Sequence, residues 1–170
     1  MNDEGTYPMQ EERASLYADI IARLAALGET VCTAESCTGG NIARCLASVS
    51  GASAVFVGGL VAYAPQIKVS ELGVDPVLVS EQNIVRCSTA MAMACGARQR
   101  FKTDWALATT GFAGPGGGND LYPVGTVCMA LLCPRRRLFI TRTIMVKGGR
   151  ENVMQNASDA LLNLFRKYLW

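Results

Sequence analysis

Apolar positions along the chain alternate between two spacings. Leu16, Ile20, Ile21, Leu24 and Leu27 recur at helical intervals, so residues 8–27 read as a helix stopped by Gly28. Residues 29–35 are short, apolar and β-branched, which predicts a strand. A second helical pattern, with Ile42, Cys45, Leu46 and Val49 on one face, runs from Thr38 to Val49 and ends in the turn Ser50-Gly51-Ala52-Ser53. Val55–Ala64 is a continuous apolar run that predicts a strand buried on both faces and ending at Tyr63. Its two glycines, Gly58 and Gly59, suggest a bulge or close backbone approach. Pro65 can open a short helix that carries Lys68 and stops at Gly73. Ser80 is the expected cap of a long helix whose face is Ile84, Cys87, Met91 and Cys95.

The second half is richer in strands. Trp105–Thr109 predicts a buried strand running into the glycine-dense stretch Thr110–Gly118. Gly125–Leu132 and Leu138–Val146 predict an antiparallel hairpin across a Pro-Arg turn. Residues 150–168 predict a final helix aligned on Val153, Ala157, Ala160, Leu161 and Leu164. Early alternation of helices and strands followed by a hairpin implies an α/β fold, a three-layer α/β/α sandwich on a mixed, mostly parallel sheet. No linker divides residues 1–170, which read as one domain with a frayed tail over 1–7.

Composition narrows the chemistry. Half of the residues are apolar and the net charge is +2, too little for a nucleic-acid surface. No stretch is long enough to span a membrane, and no signal-peptide pattern opens the chain. Seven cysteines without a C-x-x-C pair imply a reduced, cytoplasmic protein. The chain has no histidine. That excludes Ser-His-Asp and Cys-His catalysis and His-ligated metals, and leaves Lys, Asp, Glu or Tyr as a general base.

Thr33-Ala34-Glu35-Ser36-Cys37-Thr38-Gly39-Gly40 joins a strand to a helix. Backbone N–H groups at such a corner favour an anion, and a hydroxyl there can act as a nucleophile; Ser36 or Thr38 can equally serve as a helix cap. Cys37 is a rival nucleophile. Ligands collect beyond the carboxyl ends of strands in open α/β sheets. If the first three strands are parallel neighbours, Ser36–Gly40, Tyr63–Lys68 and Thr110–Gly118 converge in one cleft. Lys68 can also be a surface lysine, Tyr63 a half-buried core residue, and the glycine run a flexible loop. That run lacks the Gly-Lys-Ser/Thr ending of a P-loop and does not form a dinucleotide fingerprint.

These motifs, taken in order, resemble the CinA C-terminal domain family. The resemblance rests on residues 33–40, on Gly58-Gly59-Leu60-Val61-Ala62-Tyr63 with Lys68 and Leu72-Gly73-Val74, on residues 110–118 and 123–127, and on Gly149-Arg150. The chain departs from the family pattern at Ala64-Pro65-Gln66 and at Gly149. The resemblance implies an amidohydrolase that converts nicotinamide mononucleotide to nicotinate mononucleotide and ammonia, in pyridine nucleotide salvage. It implies Ser36 as nucleophile, Lys68 as general base and Tyr63 as the residue that orients or relays the proton. Substrate contacts fall to Cys37, Thr38, Gly39, Gly40, Thr110, Gly111, Gly114, Gly116 and Arg150, with Thr38–Gly40 supplying oxyanion donors. No metal or cofactor is expected. The expected partners are a small-molecule substrate and further copies of the chain in a homo-oligomer, with no nucleic acid and no membrane. The alternative is a catalytically weak nucleotide-binding or regulatory module of the same family. Larger family members carry an additional N-terminal domain, for which 170 residues leave no room.

Overall fold

A computed structural model describes residues 10–80 and 83–170. The proposed tail, the first two residues of the expected first helix, Glu81 and Gln82 lie outside the described residues. Among the described residues five strands form one sheet: β1 (Val31–Glu35), β2 (Phe56–Val61), β3 (Trp105–Gly111), β4 (Thr126–Cys133) and β5 (Leu138–Met145). Their order across the sheet is β2-β1-β3-β4-β5. β1 pairs parallel with both β2 and β3, whereas β4 runs antiparallel to β3 and to β5. Four strands therefore share one direction, and the predicted mixed, mostly parallel sheet is present.

Among the described residues five α-helices cover the two faces: α1 (Gln10–Leu27), α2 (Asn41–Ala47), α3 (Pro65–Leu72), α4 (Cys87–Phe101) and α5 (Arg150–Leu169). α1, α2 and α5 pack Ile20, Leu24, Leu46 and Phe165 against Val31, Trp105, Leu107 and Met129. α3 and α4 cover the opposite face, which is built from small residues: Cys32, Ala34, Ala106, Ala108 and Ala130. Small side chains let helices approach the sheet closely. The same closeness recurs between α4 and α3, where a Cβ on Gly96 would lie 1.9 Å from the Leu72 carbonyl oxygen. No helix among the described residues is long and apolar enough to cross a membrane.

Two expectations are overturned. β2 is not buried on both faces; it is an edge strand on which Val57 and Val61 are exposed. Its apolar run is continuous because one side faces the core and the other surfaces as an apolar patch. Gly59 is required by a neighbour, since a Cβ there would sit 2.0 Å from Thr33 Oγ1. The helix expected from Ser80 begins only at Cys87, and its buried face is Thr89, Ala90, Met93, Ala94 and Ala97. Ser80 instead closes a turn, its carbonyl accepting from the N–H groups of Asn83 and Ile84. The Thr89 hydroxyl donates to the carbonyls of Leu78 and Asn83, tying that turn to the start of α4.

Candidate active site

The parallel trio β2-β1-β3 sends three consecutive loops to one edge of the sheet. The cleft they enclose is lined by Ser36 and Cys37 after β1, Tyr63 after β2, and the Thr110–Gly114 stretch with Gly116 at and beyond the end of β3. Arg150, the first residue of α5, completes it, together with Ile84 and Val85 from the segment before α4.

Ser36 sits just past the end of β1, where its N–H still donates to the Thr109 carbonyl at 3.0 Å. Extending the β1–β3 ladder by one residue fixes the direction in which its side chain leaves the sheet. Lys68 is carried by α3, which Pro65 opens and the left-handed Gly73 closes. It is fully buried, and its Nζ lies 3.0 Å from Ser36 Oγ. The other neighbours of Nζ are the Ala62 carbonyl at 2.7 Å and the Tyr63 carbonyl at 3.1 Å. Burial pulls the amine down from 10.5 to about 8, because desolvation disfavours its charged form. Cys37 is also buried, but burial pushes its thiol up to about 12. A thiol held protonated is a poor nucleophile.

Tyr63 contributes two different atoms. Its carbonyl accepts from Lys68, whereas its hydroxyl accepts from Arg150 Nη2. Arg150 Nη1 donates to the Gly114 carbonyl at 2.9 Å. Arg150 thus spans the cleft mouth from the β2 loop to the glycine-rich loop. Thr110 lines the cleft, with its hydroxyl committed to the Ile84 carbonyl at 2.8 Å. Gly111 and Gly114 are confined by neighbours: a Cβ would meet the Thr126 carbonyl oxygen at 2.5 Å in the first case and Val124 Cγ1 at 2.5 Å in the second. Gly116 lines the cleft with open space where a Cβ would be.

Thr38, Gly39 and Gly40 are not among the residues that line the cleft, and two of the three N–H groups expected as oxyanion donors are engaged within the protein. Gly39 N–H donates to the Ser36 carbonyl, and Gly40 N–H to Glu35 Oε2. The fully buried Glu35 carboxylate also accepts from the N–H groups of Ile42 and Ala43 and from the Thr38 hydroxyl. An internal anion therefore occupies the N-terminus of α2, where the unpaired donors of a helix favour negative charge. Neither Ser36 nor Thr38 caps the helix, whose N-cap is Gly40 at φ 95°. Sequence reasoning missed Glu35, along with the cleft-lining Ile84, Val85, Phe112 and Ala113. The available signal was a carboxylate ending an otherwise uncharged strand directly before the serine. Among the described residues no cluster of metal-ligating side chains occurs.

Residues 13–169 match the family model of the CinA C-terminal domain. The chain belongs to the CinA C-terminal domain family. A CinA-like protein of Mycobacterium marinum is 42% identical over 158 residues, covering 93% of this chain and 37% of that protein. A CinA-like protein of an Anaeromyxobacter strain is 44% identical over 156 residues, covering 92% of this chain and 38% of its own length. The chain thus spans less than two fifths of these curated relatives. Among solved structures, the competence/damage inducible protein CihA of Agrobacterium tumefaciens is 35% identical, with TM-score 0.87 and coverage of 97% of this chain and 98% of that one. The competence or damage-inducible protein of Enterobacter asburiae is 31% identical at TM-score 0.87, covering 93% and 98%. The CinA fold seen in those structures, a sheet between helical layers, is the one described above.

Proposed function

We propose that this CinA-family chain is a nicotinamide-nucleotide amidase, hydrolysing the carboxamide of nicotinamide mononucleotide to nicotinate mononucleotide and ammonia. The observation that carries the reading is the buried Lys68 amine 3.0 Å from Ser36 Oγ, in a chain without histidine. Lys68 takes the Ser36 proton as Oγ attacks the amide carbon, then returns a proton to the departing ammonia. Water hydrolyses the resulting acyl-enzyme by the same proton route. The Cys37 N–H, directly after the nucleophile, is the oxyanion donor in place of the Thr38–Gly40 group; one such donor contributes about 3–4 kcal/mol to the transition state. Tyr63 orients Lys68 through its carbonyl and Arg150 through its hydroxyl. Arg150 exchanges its bonds to Tyr63 and Gly114 for the substrate phosphate, which a guanidinium grips with two parallel N–H donors. The chemistry uses no metal or cofactor. The exposed apolar edge at Val57 and Val61 is a surface for self-association into a homo-oligomer in the cytoplasm.

The deciding experiment measures ammonia released from nicotinamide mononucleotide, with nicotinamide riboside and free nicotinamide as comparisons. Ser36→Ala and Lys68→Met should each lower kcat at least about a thousandfold, as loss of a nucleophile or its base does elsewhere. Cys37→Ala should retain the parent rate within about threefold, since a protonated thiol contributes no nucleophile. Tight binding of the mononucleotide without ammonia release would favour the regulatory-module reading.

A further inference from the structure

Two thiols outside the proposed mechanism converge on one hydroxyl. Cys87 is the first residue of α4, and Cys128 lies within β4. Cys87 Sγ is 3.3 Å, and Cys128 Sγ 3.4 Å, from Thr143 Oγ1 on β5. Cys87 is partly exposed, whereas Cys128 is buried. A reagent in solution therefore meets Cys87 first, and Cys128 stands behind it. All seven cysteines are free. Burial raises the Cys128 thiol, the Thr143 hydroxyl partly offsets that rise, and the adjoining Cys87 thiol adds to it. The last of these causes disappears once Cys87 sulfur is bonded to another sulfur.

We propose that Cys87 and Cys128 form a thiol–disulfide exchange site for small disulfides of the glutathione type, with Cys87 attacking and Cys128 resolving. The Cys87 thiolate attacks one sulfur of the small disulfide. A Cys87–sulfur bond forms, the original S–S bond breaks, and one small thiolate leaves. The Cys128 thiolate then attacks Cys87 Sγ, forming the Cys87–Cys128 bond and expelling the second small thiolate. The protein loses two electrons and two protons; the small disulfide gains both and ends as two thiols. Bridged sulfurs lie about 2.05 Å apart, so the start of α4 is drawn onto the sheet.

That movement bears on the cleft. Ile84 and Val85, which line it, lie three and two residues before Cys87, and Thr110, its other wall, pairs with Cys128 across β3 and β4. The Thr110 hydroxyl already ties Ile84 to that strand pair. The bridge would form directly behind the wall that these residues share.

The test incubates the full chain with oxidised glutathione, blocks remaining thiols, and maps peptides by mass without reduction. The parent is expected to yield a Cys87–Cys128 cross-linked peptide, and Cys128→Ser to stop at a glutathione adduct on Cys87. Cys87→Ser should yield neither species, since the attacking sulfur is gone. A Cys87 adduct that persists in the parent as in Cys128→Ser overturns the proposal. So does a cross-link between other cysteines, or modification of Cys95 in preference to Cys87. The parent map decides alone if either variant fails to fold, and its readout is independent of amidase turnover.

Discussion

A neutral amine has two N–H bonds and one lone pair, and Lys68 is surrounded by two carbonyls and one hydroxyl. In the neutral form that the proposed mechanism requires, the Ala62 and Tyr63 carbonyls would take the two protons and leave the lone pair facing the Ser36 O–H. A protonated lysine would fit the same three partners only by donating to Oγ, and then Ser36 could not surrender its proton to it. Turnover of the mononucleotide should therefore rise with pH through about 8 and level off above it, because only the deprotonated amine is a base. The same shift has a stability consequence. The folded form releases the Lys68 proton at about 8 and the unfolded form at the ordinary 10.5. Between those values the unfolded chain binds more protons, so stability rises with pH there; below about 8 the full cost of burial is felt. Chemical denaturation of the parent against Lys68→Met should show the parent gaining ground across that window. A flat difference would contradict a depressed lysine.

At the scale of elements, β1 and α2 are joined by one carboxylate. Glu35 collects four donors from the turn and first helical residues that follow it, and so fixes the corner from which Ser36 projects. Glu35→Gln replaces one acceptor oxygen with an amide nitrogen facing backbone N–H groups. It should destabilise the chain by about 1–3 kcal/mol, measured by urea unfolding, with loss of kcat exceeding any change in KM. Much of this level was legible in the sequence. Helical spacing located α1 and α5, Pro65 and Gly73 bounded α3 as expected, and the Pro-Arg turn marked the β4–β5 hairpin. The failures have physical causes. β2 reads as a buried strand because an apolar run does not reveal which of its two faces has a neighbour. The start of α4 was misplaced because Ser80 has the chemistry of a cap, while the side chain that organises the segment, Thr89, lies nine residues later. Local sequence also cannot show that Glu35 reaches forward to occupy donors that an open helix end would otherwise present.

Across the whole molecule, the cysteines divide by depth. Cys32, Cys37, Cys45, Cys128 and Cys133 are buried, and Cys87 and Cys95 are partly exposed. The absence of a C-x-x-C pair among seven cysteines points to reduced thiols, and the structure contains them as packing residues on both faces of the sheet. A thiol reagent on the native, reduced chain should label Cys87 and Cys95 rapidly and the five buried positions only on unfolding. Rapid labelling of Cys37 would contradict its burial at the cleft wall. Convergence of the three loops was legible only as a condition, since it depended on β1, β2 and β3 being parallel neighbours. That condition is a property of the sheet and not of any one motif.

Because Glu35 neutralises the α2 terminus from within, the positive end of that helix is spent on the protein's own framework. In the proposed reaction the charged phosphate falls instead to Arg150, which is exposed at the mouth of the cleft. An interaction placed there is open to mobile ions, whose screening length is about 8 Å at physiological ionic strength. Raising salt should therefore raise KM for the mononucleotide and leave KM for the uncharged riboside nearly constant. A fold that seated the phosphate on its helix terminus would show far less of this dependence.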